Sequence, residues 1–143
     1  MKNRLHRFLL TILLGCGASA HAEQVIHVGA YDVHYVVLGT TFLSAEVARR
    51  YGIERAADLA FVNISVLRNG KSVATKIRGQ ARDLLEHAVE LPFREIKEFA
   101  SVYYIASLKF KDQEHWRFAL QITPVGEADP LEEIGRASCR ERV

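Results

Sequence analysis

The sequence predicts an all-β domain: an antiparallel, immunoglobulin-like β-sandwich with one short helix and its last strand missing. Three observations predict it. Apolar and polar residues alternate with period two over several runs, the pattern of strands with one wet face. An Asn-Gly pair stands between two such runs, where positive φ is needed for a tight turn. Only one segment combines a capping residue, helical spacing of apolar residues and a terminating glycine.

In chain order, Lys2, Arg4 and Arg7 precede an apolar run from Phe8 to Leu14, and Ala20-His21-Ala22 is a small-x-small cleavage site. This is a secretory signal over residues 1–22. The run is far short of the ~20 residues a spanning helix needs. Leu13-Leu14-Gly15-Cys16 approximates a lipobox. The second leucine is uncommon there and Ala20-His21-Ala22 lies at a better distance, so cleavage after Ala22 is preferred over a lipoprotein at Cys16. Either route places the domain in the periplasm.

Residues 31–38 alternate Tyr31, Val33, Tyr35, Val37 against Asp32 and His34. Ser44 can cap a helix that Glu46 opens, Arg49 and Arg50 close and Gly52 ends, with Val47, Ala48 and Tyr51 on one face. Residues 59–67 and 73–81 flank Asn69-Gly70 and are expected to pair as a hairpin. Leu84-Leu85-Glu86 reads as a turn, and residues 90–93 as a short strand that Pro92 confines to an edge or end. Residues 101–110 are rich in aromatic and β-branched side chains. In residues 115–122, Trp116, Phe118, Leu120 and Ile122 form one face.

The last eleven residues, from Glu133 to Val143, continue no pattern. They are what a widely used sequencing adapter spells when translated in one frame, so they are set aside as non-native. Resequencing the gene's 3′ end from genomic DNA checks this, and the same eleven codons there would refute it. Residues 23–132 then form one truncated domain. The whole chain has 19 basic and 17 acidic residues; residues 23–132 keep 13 and 15, a net charge of −2. The basic balance that would point to nucleic acid disappears. Both cysteines also fall outside, so no disulfide framework is expected.

Candidate chemistry is sparse. Asp32 and His34 share a strand face and are the best metal-ligand pair, although solvated polar residues are the commoner occupants of such positions. No nucleophile elbow, thiolate or phosphate loop is present, so no catalytic residue and no cofactor is expected. The charges of residues 94–98 read as a solvated face or edge guard. Of Tyr103 and Tyr104, one is expected in the core and the other at the surface. Asn63, inside an apolar run, needs partners if buried, and a tie to Thr40-Thr41 or Arg55 is expected.

The blocks Thr40-Thr41-Phe42-Leu43 through Tyr51-Gly52-Ile53, Asn63-Ile64-Ser65-Val66, Phe93-Arg94-Glu95-Ile96 and Tyr103-Tyr104-Ile105-Ala106 resemble a proteobacterial family, domain of unknown function 4426. The resemblance covers residues 23–132 and implies a small exported protein. Ala45 stands where a proline often opens the family's helix, and the family's final strand has no counterpart. No catalytic residue carries over. The function expected is a non-enzymatic accessory module that binds an envelope protein, with Tyr51, Arg55 and Arg94 as candidate binding residues. The alternative is a periplasmic metal-binding protein that uses Asp32, His34 and a histidine brought near by folding.

Overall fold

A computed structural model of the chain describes the backbone of residues 24–111 and 114–138, with side chains as far as residue 131. The predicted signal at 1–22, with Cys16, and residues 139–143 lie outside the described residues. Among the described residues ten strands, one α-helix and a short 3-10 turn at Thr40–Phe42 follow in order. The strands are β1 (Gln24–Val28), β2 (Tyr31–Gly39), β3 (Leu59–Arg68), β4 (Lys71–Ser72), β5 (Thr75–Arg82), β6 (Ala88–Glu90), β7 (Arg94–Glu98), β8 (Ser101–Lys109), β9 (His115–Pro124) and β10 (Leu131–Ser138). The helix, α1 (Ala45–Tyr51), lies between β2 and β3.

All pairings are antiparallel. One sheet runs β1-β2-β3-β8-β7 with β4 paired to β3, and the other runs β10-β9-β5-β6. Alternation decides which side chains meet. Val33, Tyr35 and Val37 of β2 stand opposite Val66, Ile64 and Val62 of β3. In the second sheet Ala81 faces Phe118 and Ile77 faces Ile122. These inward rows merge into one core, in which Val33, Ile64, Val66 and Ile122 are fully buried.

Several expectations are corrected here. Asn69 and Gly70 make the predicted turn at φ 51° and 72°, but the returning strand pairs with β3 only at Lys71 and Ser72. It then crosses to the other sheet and pairs with β9 as β5, because alternation marks a strand without naming its partner. The expected strand at 90–93 is two strands. β6 ends at Glu90, and Leu91-Pro92-Phe93 carries the chain across to β7, since proline cannot supply a ladder donor. β1 was not foreseen; it pairs along β2 from Gln24 against Tyr35 to Val28 against Tyr31.

The last strand, expected to be missing, is present: β10 pairs with β9 from Leu131 against Ile122 to Ser138 against His115. The open edge of β9 offers a row of backbone donors and acceptors. Backbone pairing there asks little of side-chain identity, so a segment without a hydrophobic period can take the place.

The helix forms as predicted. The Ser44 hydroxyl accepts from the Val47 N–H at 3.1 Å, and Gly52 ends the helix at φ 62°. Its buried face differs: Ala48 is buried and Tyr51 half-buried, whereas Val47 is exposed. Among the described residues no helix is long and apolar enough to cross a membrane.

Candidate functional site

A sheet face that is not turned to the core should be polar, yet part of the six-stranded sheet's outer face is apolar. There Phe61 and Asn63 of β3, Tyr103 and Ile105 of β8, and Ile96 and Glu98 of β7 lie in register, with Asn63 opposite Ile105 and Ile96 opposite Tyr103. Helix α1 covers part of this area. Ala48, Ile53 and Ile105 make a second buried cluster, with Leu43, Tyr51, Phe61 and Ile96 packed around it. The helix has only seven residues, too few to cover the face. Two hollows remain beside it.

The first, about 270 Å³, is lined by Tyr51, Phe61, Asn63, Ile96, Glu98, Tyr103 and Ile105. Three aromatic rings and two isoleucines make it mainly apolar, and Glu98 is its one charged residue. The Tyr51 hydroxyl donates to Glu98 Oε1 at 2.7 Å, which ties α1 to β7. That bond, helped by desolvation and by the Glu98 charge, pushes the Tyr51 phenol up, and the nearby Arg50 opposes it weakly. Asn63 Oδ1 is buried and accepts no hydrogen bond. The second hollow is lined by Ile53, Phe61, Pro92, Arg94, Ile105, Ala106 and Ser107. Its cation is already engaged: Arg94 Nη2 donates to the carbonyls of Tyr51 and Gly52, the latter at 3.2 Å. These are orphan carbonyls at the end of α1, so Arg94 anchors the helix to β7.

The candidates named from sequence therefore separate. Tyr51 lines the first hollow. Arg94 lines the second but acts as a strut. Arg55 is elsewhere and donates to the Thr41 carbonyl at 3.1 Å, holding the loop before the helix. The tie expected for Asn63 is corrected. Thr40 instead pairs both ways with Ala56, its Oγ1 accepting at 2.9 Å and donating at 3.1 Å, so the loop needs nothing from Asn63. Tyr104 is the core tyrosine and Tyr103 the one in the hollow. Glu98, Ile96 and Phe61 were missed. Their signal was the outward phase of three strands, which becomes a site only once those strands are known to be neighbours.

Asp32 does meet a histidine. His27 of β1 stands opposite it, with Nδ1 2.5 Å from Asp32 Oδ1. His34 follows on the same face, opposite Val25. Among the described residues no three His, Cys, Asp or Glu side chains are grouped closely enough to hold a metal.

The family described as domain of unknown function (DUF4426) matches residues 25–132, most of the chain. The chain belongs to that family. A crystal structure of a DUF4426 family protein from Pseudomonas aeruginosa PAO1 is 26% identical, with a TM-score of 0.77 over 87% of this chain and 100% of that one. The fold is also similar to FetP of uropathogenic Escherichia coli strain F11, recombinantly expressed in the periplasm of Escherichia coli BL21(DE3), at 10% identity. There the TM-score is 0.60 over 85% of this chain and 96% of that one. A copper-bound variant of FetP gives 0.59 and 10% identity, over 82% and 94%. At that identity the likeness to FetP is one of fold. No curated protein matches this DUF4426 chain.

Proposed function

We propose that this DUF4426 domain is a non-enzymatic binding module of the cell envelope, exported by residues 1–22. It holds its ligand or partner on the outer face of the six-stranded sheet beside α1. One observation carries the reading: a mainly apolar hollow of about 270 Å³ lies open there, with a buried acceptor, Asn63 Oδ1, left unmatched. Buried polar atoms usually have partners, and concave apolar sites with a few convergent polar groups are where ligands bind. The absence of nucleophile motifs from the sequence supports a non-enzymatic role. Two antiparallel sheets over one core support the immunoglobulin-like class, a scaffold that serves many binding functions. Residues 133–143 stay outside this reading as a translated adapter, and the family match stops at Glu132.

In-cell photocrosslinking tests it. A photoreactive residue at Tyr103 should give an adduct that one at Arg78, on the other sheet, does not. The same adducts from both positions, or none from Tyr103, would refute the reading.

A second reading is periplasmic metal binding at the His27–Asp32 contact, with no resident cofactor otherwise implied; His34 follows on the same strand face but is not grouped with that pair. The short His27–Asp32 contact favours it, as does the fold likeness to a copper-bound FetP variant. Imidazole and carboxylate suit Cu(II) or Zn(II). Calorimetry with both ions decides: binding that His27→Ala abolishes supports it, and no heat with either ion ends it.

A further inference from the structure

We infer that the hollow beside α1 takes a small organic amine, with an ammonium group on an apolar or aromatic body; this rests on the binding reading above. Among the polar groups of the lining, Glu98 is an acceptor alone, whereas the Tyr51 and Tyr103 hydroxyls and the Asn63 amide both donate and accept. Glu98 presents a carboxylate of which Oε1 already receives the Tyr51 hydroxyl, and Asn63 Oδ1 receives nothing. A carboxylate and an amide oxygen together call for a donor, and the only charge in the lining is negative.

The walls agree with that demand. Phe61, Tyr51 and Tyr103 contribute rings, and an ammonium group is attracted to aromatic faces as well as to carboxylate. The floor of Ile96 and Ile105 suits the ligand's apolar body. Size limits the ligand to a few carbons or a single ring, because 270 Å³ is at the lower end of small-molecule sites. An anionic ligand is disfavoured: Glu98 would repel it, and the cation next door, Arg94, is spent on the carbonyls of Tyr51 and Gly52. Arg50 reaches toward Glu46 at 3.4 Å and also interacts with the Tyr51 hydroxyl, but it is not among the residues that line the hollow.

Three probes of one shape test the inference: phenethylamine, 2-phenylethanol and phenylacetate, titrated into the full chain and followed by amide and methyl chemical shifts. Phenethylamine should shift Ile96, Ile105 and Tyr103 and bind about tenfold more tightly than the alcohol, with phenylacetate weakest. Glu98→Gln keeps an oxygen for the Tyr51 hydroxyl while removing the charge. It should bring the amine to the affinity of the alcohol with an unchanged melting temperature. Equal binding of amine and alcohol to the wild-type hollow would overturn the amine inference and leave the binding module standing. Shifts from none of the three probes would overturn both. An amine that keeps its advantage over the alcohol in Glu98→Gln would overturn the inference alone.

Discussion

Replacing Tyr104 with phenylalanine removes one oxygen and leaves the ring in place. That oxygen lies where the chain has just crossed from β4 into β5. It accepts from the Thr75 N–H at 2.7 Å, across the gap between the two sheets, and donates to Glu95 Oε2 at 3.0 Å on the neighbouring strand of its own sheet. Tyr104 is 4% exposed and Thr75 7%, so water has little access to the orphaned N–H. Leaving one buried backbone donor unpaired costs about 1–3 kcal/mol. At roughly 4 °C per kcal/mol for a domain of this size, Tyr104→Phe should melt about 4–12 °C lower. The single tryptophan, Trp116, is buried in the same core and reports urea unfolding by fluorescence. The midpoint should fall with the slope unchanged. Tyr103→Phe, in the hollow, is the control and should shift stability by less than about 0.5 kcal/mol. If the two variants were equally stable, or Tyr104→Phe lost less than about 0.5 kcal/mol, this link between the sheets would not be structural.

Gly79→Ala should destabilise the domain by about 1–3 kcal/mol, because its Cβ would stand 2.5 Å from Leu120 Cδ2 and 3.2 Å from Phe93 Cε2; unchanged urea unfolding would show that Leu120 moves aside freely. Ser44→Ala should cost about 1 kcal/mol through the lost cap and weaken probe binding beside α1, measured by urea unfolding and by titration of the same variant. Glu95 is held below its ordinary value of 4.5, first by the Lys97 hydrogen bond and then by the Tyr104 hydroxyl. Its folded pKa is therefore the lower one, so its stabilisation is full above about 4.5 and is lost as pH falls through the folded value. The urea midpoint should drop between about pH 5 and pH 3, and Glu95→Gln should flatten that drop; parallel pH profiles would contradict it.

What was legible in the sequence was local. The helix could be read because Ser44, Glu46, Arg49, Arg50 and Gly52 each act within a turn of their own position. Asn69-Gly70 could be read as a turn for the same reason. The sheet switch just after it could not, since Val73 and Ala74 look like any strand residues and only their partners differ. The candidate site was hidden for a related reason. Tyr51 and Glu98 meet across 47 positions of sequence. The charged segment 94–98 does sit at a sheet edge, as its composition suggested. Within it, however, Ile96 and Glu98 share the outward phase that the pairing with β8 turns toward α1. Asn63 was conspicuous in sequence as a polar residue within an apolar strand, but the partner assigned to it was wrong.

The strand order bears on when this chain can fold. The six-stranded sheet joins its halves only through β3 and β8, so residues around Leu59 must wait for residues around Lys109. The other sheet needs β5 to find β9, whose last pair joins Thr75 to Pro124. Pairings so distant in sequence make folding slow, because loop closure precedes the contacts that reward it. With this topology neither sheet gains its central pair until most of the domain's residues are free to pair, so a partly made chain holds only hairpins such as β1-β2 and no closed core.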